Sequence, residues 1–400
     1  MSMNPTIEDR AKSLGEPEAI VRFRERMERA AIDASDGGDL RYGIKIGTSI
    51  AALRGGYQAR PEYAVKGASK PIEIYTWKEA MLDDDTSGIA AQALLRAGAL
   101  EGVPHLFAST LARYTDGLLV YVQPELGPLG EIVETSVDLA TRVEEDAADV
   151  VVIYVKTGAR VVVTDRVSAK AGTEFGRTMI VLAEDDSSVS LCADRRQMAG
   201  ATLIERRAIF AGEHAAVDVR EVYASAALAK ADTEILLEGD GSAAELRSVG
   251  MLDGSSRADL YHVVRHGGSE TRSRVRAAAL VGSEGRLVHR GLIDMASGVR
   301  DVDGEEDARF FTAGEKAVVD AIPSLDIATD SVRSAHRLAI VHLSEKELFY
   351  PETRGFSPED ARSLIVGGAL ASAFGDGIPA AEEIGKWIDA ESGAIMARYV

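Results

Sequence analysis

From about Leu118 to Leu343 the chain is a train of short segments in which apolar and polar residues alternate, each closed by a turn. In the second half of this stretch the turns carry glycine at Gly239, Gly254, Gly267, Gly282, Gly298 and Gly314, so the spacings are 15, 13, 15, 16 and 16 residues. Between them, Glu245 to Val249, Asp259 to Val264 and Arg286 to His289 alternate as strands with one buried face do, and no helical period fits them. Evenly spaced short strands suit a sandwich, a barrel or a β-solenoid. The stretch has no Asn and therefore none of the Asn-Gly turns that favour tight hairpins, which points to the solenoid, a parallel β-helix.

Val150 to Val155 is apolar throughout, predicting a strand buried on both faces, and Val152 is expected to face the coil interior. Further strands are expected at Val161 to Thr164, Met179 to Leu182, Val189 to Leu191, Ala216 to Val219 and Ile235 to Leu237, with turns at Thr157-Gly158, Asp185 to Ser188 and Asp240-Gly241. The acid run Glu144-Glu145-Asp146 reads as a guard against strand aggregation, and Asp185-Asp186 as a solvated tip.

The flanks read as helical. Ala19, Ile20, Phe23, Met27, Ala30 and Ala31 recur at helical spacing, and Gly37-Gly38 is expected to stop that helix. Asp83 to Gly88 reads as a cap for a helix over Ile89 to Ala99 rather than as a metal site. Beyond Leu343, Ser357-Pro358-Glu359-Asp360 starts a helix whose Ala361, Leu364, Ile365, Gly368, Ala371 and Phe374 are expected to share one face. Pro379 opens another, carrying Ile384, Trp387 and Ile388. The division that follows is a mainly helical domain at 1–114, a parallel β-helix at 115–343 and a helical domain at 344–400.

Composition narrows the function. With 45 basic against 64 acidic residues the net charge is −19, which excludes a nucleic-acid surface. Met1 to Arg10 lacks an apolar signal core, and the uncharged run from Leu364 to Gly375 is far short of the roughly 20 residues that span a bilayer, so a cytoplasmic protein is expected. The single cysteine, Cys192, rules out an intrachain disulfide framework and a cysteine-built zinc site. There is no P-loop, G-x-G-x-x-G, H-E-x-x-H or C-x-x-C motif, so nucleotide hydrolysis would belong to a partner. Of the seven histidines, His262 and His266 lie about 13 Å apart along one strand face, too far to share a metal, and read as structural or surface residues.

The end of the β stretch carries a recognisable pattern. Pro323-Ser324-Leu325-Asp326-Ile327, Asp330-Ser331-Val332, His336, Leu348-Phe349-Tyr350 and Arg354-Gly355-Phe356-Ser357 follow one another, preceded by Ser273, Gly291, Ile293, Gly298, Asp303 and the strand Phe175 to Ile180. Over roughly 150 to 375 this resembles the shared core of SufB and SufD, scaffold proteins of SUF iron–sulfur cluster assembly. The resemblance implies a right-handed parallel β-helix between helical domains, a C-terminal domain that docks a SufC-type ABC ATPase, and pairing with a second SufB/SufD-type scaffold, either another copy or a paralogue. It makes His336 the cluster or interface candidate, and Phe349, Tyr350, Arg354, Leu364, Ile365 and Phe374 candidates for ATPase docking.

This chain departs from the family pattern at informative places. Arg337 follows His336 where SufB proteins have glutamate, Ser334 stands where SufD proteins often have cysteine, and no cysteine occurs after Cys192, which sits about three residues out of register with the SufB cysteine segment. These residues resemble SufD, or a simplified archaeal-type scaffold, more than the cluster-building SufB. A thiolate holds iron far better than serine. The expectation is a non-enzymatic scaffold that binds no cofactor stably on its own and carries an iron–sulfur cluster transiently in the complex, with the metal ligands unassigned. Two other readings stand beside it. One is a β-helix enzyme acting on polysaccharide, disfavoured by 6% aromatics and no evident carboxylate pair. The other is a structural ATPase adaptor with no iron role.

Overall fold

The computed structural model describes residues 6–33, 40–42, 46–48, 56–67, 70–100, 105–343 and 345–399. The chain begins with helices α1 (Ile7–Leu14) and α2 (Glu18–Asp33), an antiparallel pair β1 (Leu40–Tyr42) and β2 (Ile46–Thr48), strands β3 (Glu62–Lys66) and β4 (Ile72–Thr76), and helices α3 (Trp77–Ala80), α4 (Asp84–Ala99) and α5 (His105–Arg113). Then come β5 (Asp116–Val122), β6 (Glu125–Leu126), β7 (Ile132–Val143), β8 (Ala147–Val155), β9 (Arg160–Ala169), β10 (Glu174–Ala183), β11 (Ser188–Gln197), β12 (Thr202–Ala211) and β13 (Ala216–Ala224). The train continues as β14 (Leu228–Leu237), β15 (Ala243–Leu252), β16 (Arg257–His266), β17 (Arg272–Val281), β18 (Arg286–Met295), β19 (Val302–Thr312), β20 (Val318–Ile327) and β21 (Val332–Val341). Helices α6 (Glu345–Thr353), α7 (Pro358–Phe374) and α8 (Ala381–Met396) finish the chain.

From β7 onward, consecutive strands alternate between two sheets. One runs in the order β20-β18-β16-β14-β12-β10-β8-β5-β4, the other β21-β19-β17-β15-β13-β11-β9-β7-β3. Neighbours from β5 and β7 onward are parallel, which makes the centre a parallel β-helix with one strand per coil in each sheet. Register partners Ala147, Phe175, Leu203, Ala229, Ala258, Leu287 and Val319 follow at 26 to 32 residues. Each coil therefore contains two turns, which accounts for the glycine spacing of about half that length. Turn acids tie one coil to the next: Asp146, Asp185 and Asp240 accept from the backbone N–H of Glu174, Glu213 and Ser269, each at 2.8 Å.

The N-terminal portion, expected to be mainly helical, holds α1 to α5 together with four short strands. Strands β3 and β4 lie within it yet close the first coil, pairing antiparallel with β7 and β5. Gly37-Gly38 lies outside the described residues, and α2 ends at Asp33. Asp83 caps α4 as expected, its side chain accepting from the N–H groups of Asp85 and Thr86.

Strand alternation sorts the apolar residues into an inside and an outside. Inside the coil, Val151, Ile153, Val163, Val181 and Leu191 belong to one cluster, and Phe175, Leu203, Tyr223, Leu260 and Phe310 to another. Outside, Val150, Val152, Ile180 and Phe210 of the even-numbered sheet pack with Phe23, Trp77, Leu94 and Leu111 of the N-terminal helical layer. On the opposite side, Val222, Val249 and Leu280 pack with Val366, Leu370, Phe374, Ile384 and Ile388 of α7 and α8. The strand from Val150 is thus buried on both faces, but Val152 faces the helices rather than the coil interior. The reason is the strand period of two: Val151 and Ile153 fill the inside, so the residue between them must point out.

The α7 face also differs from expectation. Ala361, Val366, Gly367, Leu370 and Phe374 are buried, while Leu364 and Gly368 are exposed. The helix is apolar on most sides, so sequence spacing alone misplaces its contact stripe by a fraction of a turn. Ser357 caps it as expected, accepting from the Asp360 N–H at 3.1 Å with Pro358 in the first turn.

Candidate functional site at the open end of the coil

A seam of charged side chains separates the two interior cores. Arg177 Nη2 donates to Asp149 Oδ2 at 2.5 Å and its Nη1 to Asp165 Oδ1 at 2.6 Å. Arg195 joins Asp165 to Glu205, and Arg207 joins Glu205 to Glu221, the last contact at 2.7 Å. Glu221 Oε1 lies 2.5 Å from His262 Nε2, and His262 Nδ1 lies 3.1 Å from His289 Nε2. The carboxylates alternate with cations because each coil brings one polar position to the same height between the cores. Burial works against the charge of Asp165 and Glu221, but the adjacent Arg177 and Arg195, and His262 and Arg207 respectively, hold each carboxyl down at about 2. Burial and the nearby His262 push His289 well below the ordinary imidazole range.

Both His262 and His266 are therefore interior residues. They share a face but no partner: His266 sits against Thr271 Oγ1 and Ser273 Oγ, each at 2.8 Å, and burial pulls it down to about 4.

At the C-terminal end the seam ends on two residues of the last coils. Glu306 of β19 and His336 of β21 are register partners, with Glu306 Oε2 3.2 Å from His336 Nε2. Glu306 is only 2% exposed, and burial pushes its carboxyl up to about 7. Its carboxylate fills the space beside Gly291 that a Cβ would occupy. Any side chain there would evict it. His336 is nearer the surface because β21 is the outermost strand, and burial lowers its basicity. The sequence motif points to His336 but not to Glu306, which is hidden in the run Glu305-Glu306-Asp307. The signal that could find it is the coil repeat, which places Glu306 one coil below His336 with its neighbours facing out.

The docking candidates fall into two groups. Phe349 (67% exposed), Tyr350 (65%), Arg354 and Leu364 (54%) lie open on α6, α7 and the turn between them, with Arg354 Nη2 donating to Tyr350 Oη at 3.2 Å. Phe374, 1% exposed, is part of the core beneath α7, and Ile365 is partly buried against the same core. Phe374 thus has no face for a partner. Cys192 sits under α7 and α8 on the outside of the coil, not in the seam, and burial pushes its thiol up to about 12. Such a thiol is a poor ligand. Among the described residues no three His, Cys, Asp or Glu side chains are grouped to hold a metal ion, and no helix is long and apolar enough to cross a membrane.

Comparison with known proteins matches this region. Residues 139–369, more than half of the chain, match the SufBD core domain of SUF system FeS cluster assembly. The chain is 24% identical over 171 residues to a chloroplastic iron–sulfur cluster assembly SufBD family protein of Arabidopsis thaliana, covering 43% of this chain and 31% of that one. It is 27% identical over 140 residues to the iron–sulfur cluster assembly protein SufD of Escherichia coli, covering 35% and 33%, and 23% identical over 135 residues to SufB of Bacillus subtilis, covering 34% and 29%. The matches span about a third of the length of these relatives. With a parallel β-helix running through the matched segment and His336 on its last strand, the chain belongs to the SufB/SufD family of iron–sulfur cluster assembly proteins.

Proposed function

We propose that this chain is a cytoplasmic, non-enzymatic scaffold subunit of SUF iron–sulfur cluster assembly, working with a SufC-type ABC ATPase and a second SufB/SufD-type scaffold, either another copy or a paralogue. The observation that carries the reading is the contrast between the ends of the coil. All four terminal strands have an unpaired outer edge, but β3 and β4 between them expose one large apolar side chain, Val65, whereas β20 and β21 expose Leu325, Ile327, Leu338 and Ile340 beside His336. An open sheet edge with apolar side chains is a template for another strand. A second scaffold added there would place His336 at the junction.

The ATPase is assigned to the other exposed surface. Phe349, Tyr350, Arg354 and Leu364 combine aromatic and aliphatic area with an arginine, the usual make-up of an interface hot spot. Beneath them α7 and α8 cover the coil, so the C-terminal helices serve as a cap on one side and a docking surface on the other. With its one thiol buried away from His336, the chain alone offers little to hold a cluster, and the cluster forms transiently at the junction of the complex. Co-expression of the tagged chain with the SufC-type ATPase of the same organism tests the reading. The expected result is a complex that survives gel filtration; a chain that elutes alone under these conditions overturns it.

A further inference from the structure

The outer face of the odd-numbered sheet is only half covered. Its later strand positions, Val222, Val249 and Leu280 among them, lie under α7 and α8. Over the earlier positions of β11, β13, β15 and β17 a cleft of about 420 Å³ opens on the surface. Small side chains make its floor: Ser188, Ala216 and Ala243 are register partners on successive coils, and Ser190 lies beside them. The next partner in that row is Arg272, which forms one end of the cleft together with Arg274. The other arginines of this face are paired, Arg220 with Asp218 at 2.8 Å, and Arg247 and Arg276 with Glu245 at 2.7 and 3.5 Å. Among the described residues neither Arg272 nor Arg274 forms an ion pair, and both are exposed. Asp303, the register partner of Arg272 on β19, lies on the rim without closing a pair with it. The first three outward positions of these four strands carry five arginines and two carboxylates, a local positive excess on a chain whose net charge is −19. Such a reversal favours an anion in this cleft over the rest of the surface.

We propose that the cleft binds a phosphorylated sugar or polyol, its phosphoryl group held by Arg272 and Arg274 and its hydroxylated body lying over Ala216 and Ala243 towards Ser188 and Ser190. The two arginines occupy alternate positions of one strand, about 6.6 Å apart and on one face, so both guanidinium forks can converge on a single group. A phosphate monoester offers three acceptor oxygens and up to two charges, enough for both forks, whereas a carboxylate has two oxygens and satisfies one. Length sets the body: from the strand of Arg274 to that of Ser190 is three strand spacings, roughly 14 Å, too far for a bare phosphate ion to bridge. Polarity sets its character. Asp218 and Glu245 also line the cleft, and a carboxylate already paired with a guanidinium keeps lone pairs that accept from hydroxyl groups. The volume is that of a small-molecule site. No residue of the open end of the coil and none of the docking candidates on α6 and α7 takes part, so the cleft does not depend on the scaffold reading.

Calorimetric titration of the full-length chain with glucose 6-phosphate, and separately with inorganic phosphate and with glucose, tests the site. The expected result is one glucose 6-phosphate per chain, bound at least tenfold more tightly than phosphate, with no saturable binding of glucose. Arg272→Ala and Arg274→Ala should each weaken glucose 6-phosphate at least tenfold, whereas Arg257→Ala, which removes an exposed arginine from the other sheet, should change nothing. Ser190→Ala should weaken glucose 6-phosphate severalfold and leave phosphate unchanged. All four side chains are at least partly exposed, so unchanged melting temperatures will show that the variants remain folded. No saturable binding of glucose 6-phosphate, or binding that Arg272→Ala and Arg274→Ala leave as in the wild type, overturns the proposal; phosphate bound as tightly as glucose 6-phosphate overturns the assignment of the ligand's body.

Discussion

Arg207 on one sheet and Glu221 on the other meet inside the coil at 2.7 Å, both with no exposed side-chain area. This contact is one rung of the seam that runs from Asp149 to His289 between two apolar cores. Removing one member of a buried pair leaves the other charge uncompensated. Arg207→Met, which takes one of its two cations from Glu205 and leaves Glu221 with His262 alone, should lower the unfolding free energy in urea by about 3–5 kcal/mol, and a loss under about 1 kcal/mol would mean that the seam is energetically idle.

Acid should attack the same seam. Glu221 and Asp165 are held at about 2 in the folded chain, below the 4.5 and 3.8 of the free groups. Because the folded values are depressed, their contribution is complete above about pH 4.5 and is lost as the pH falls towards 2. Each is worth on the order of 2–3 kcal/mol across that window. Denaturation midpoints measured between pH 6 and 2.5 should fall steeply below 4.5, and the slope should flatten in Glu221→Gln; an equal slope in both would contradict the assignment.

Val151 and Val152 give a sharper pair of variants than either alone. Val151→Asp places a charge in the coil interior and Val152→Asp places one beneath the N-terminal helices, each destabilising by several kcal/mol. Hydrogen exchange should separate them. Val152→Asp is expected to expose α4 and α5 while β14 to β19 stay protected, whereas Val151→Asp should loosen the coil itself. Identical exchange maps would contradict the separation of the two cores.

On the C-terminal helices the prediction turns on exposure. Leu364→Asp should leave the stability of the isolated chain within about 0.5 kcal/mol of wild type, as surface changes do, while weakening ATPase binding at least tenfold. Phe374→Asp should instead unfold the cap. If Leu364→Asp destabilises as badly as Phe374→Asp, the helices are a structural cap only and the docking surface lies elsewhere.

Much of this architecture can be read in the sequence because turns and strands alternate strictly. Glycines 239, 254, 267, 282, 298 and 314 all fall between strands, and the apolar runs from Val150 to Leu237 fall in strands. Strand β12 is the instructive omission. Its centre, Glu205-Arg206-Arg207, looks like a solvated loop, yet Glu205 and Arg207 are buried in the seam. Charges that satisfy one another across coils carry no local signature. Glu306 escapes for the same reason, since its meaning depends on His336 one coil away. The inward placement of Phe374 and the outward placement of Leu364 depend on what covers α7, which helical spacing within the segment does not encode.

The central claim is that this chain carries an iron–sulfur cluster only as part of a larger scaffold, with His336 at the junction. The most direct measurement is anaerobic reconstitution with ferrous iron and sulfide of the chain alone and of its complex with the SufC-type ATPase and second scaffold, with iron and sulfide counted per complex. The account predicts little or no cluster on the chain alone, a cluster in the complex, and a marked loss of that cluster in His336→Ala with ATPase binding intact. A stable, stoichiometric cluster on the isolated chain, or a complex whose cluster is indifferent to His336→Ala, would contradict it.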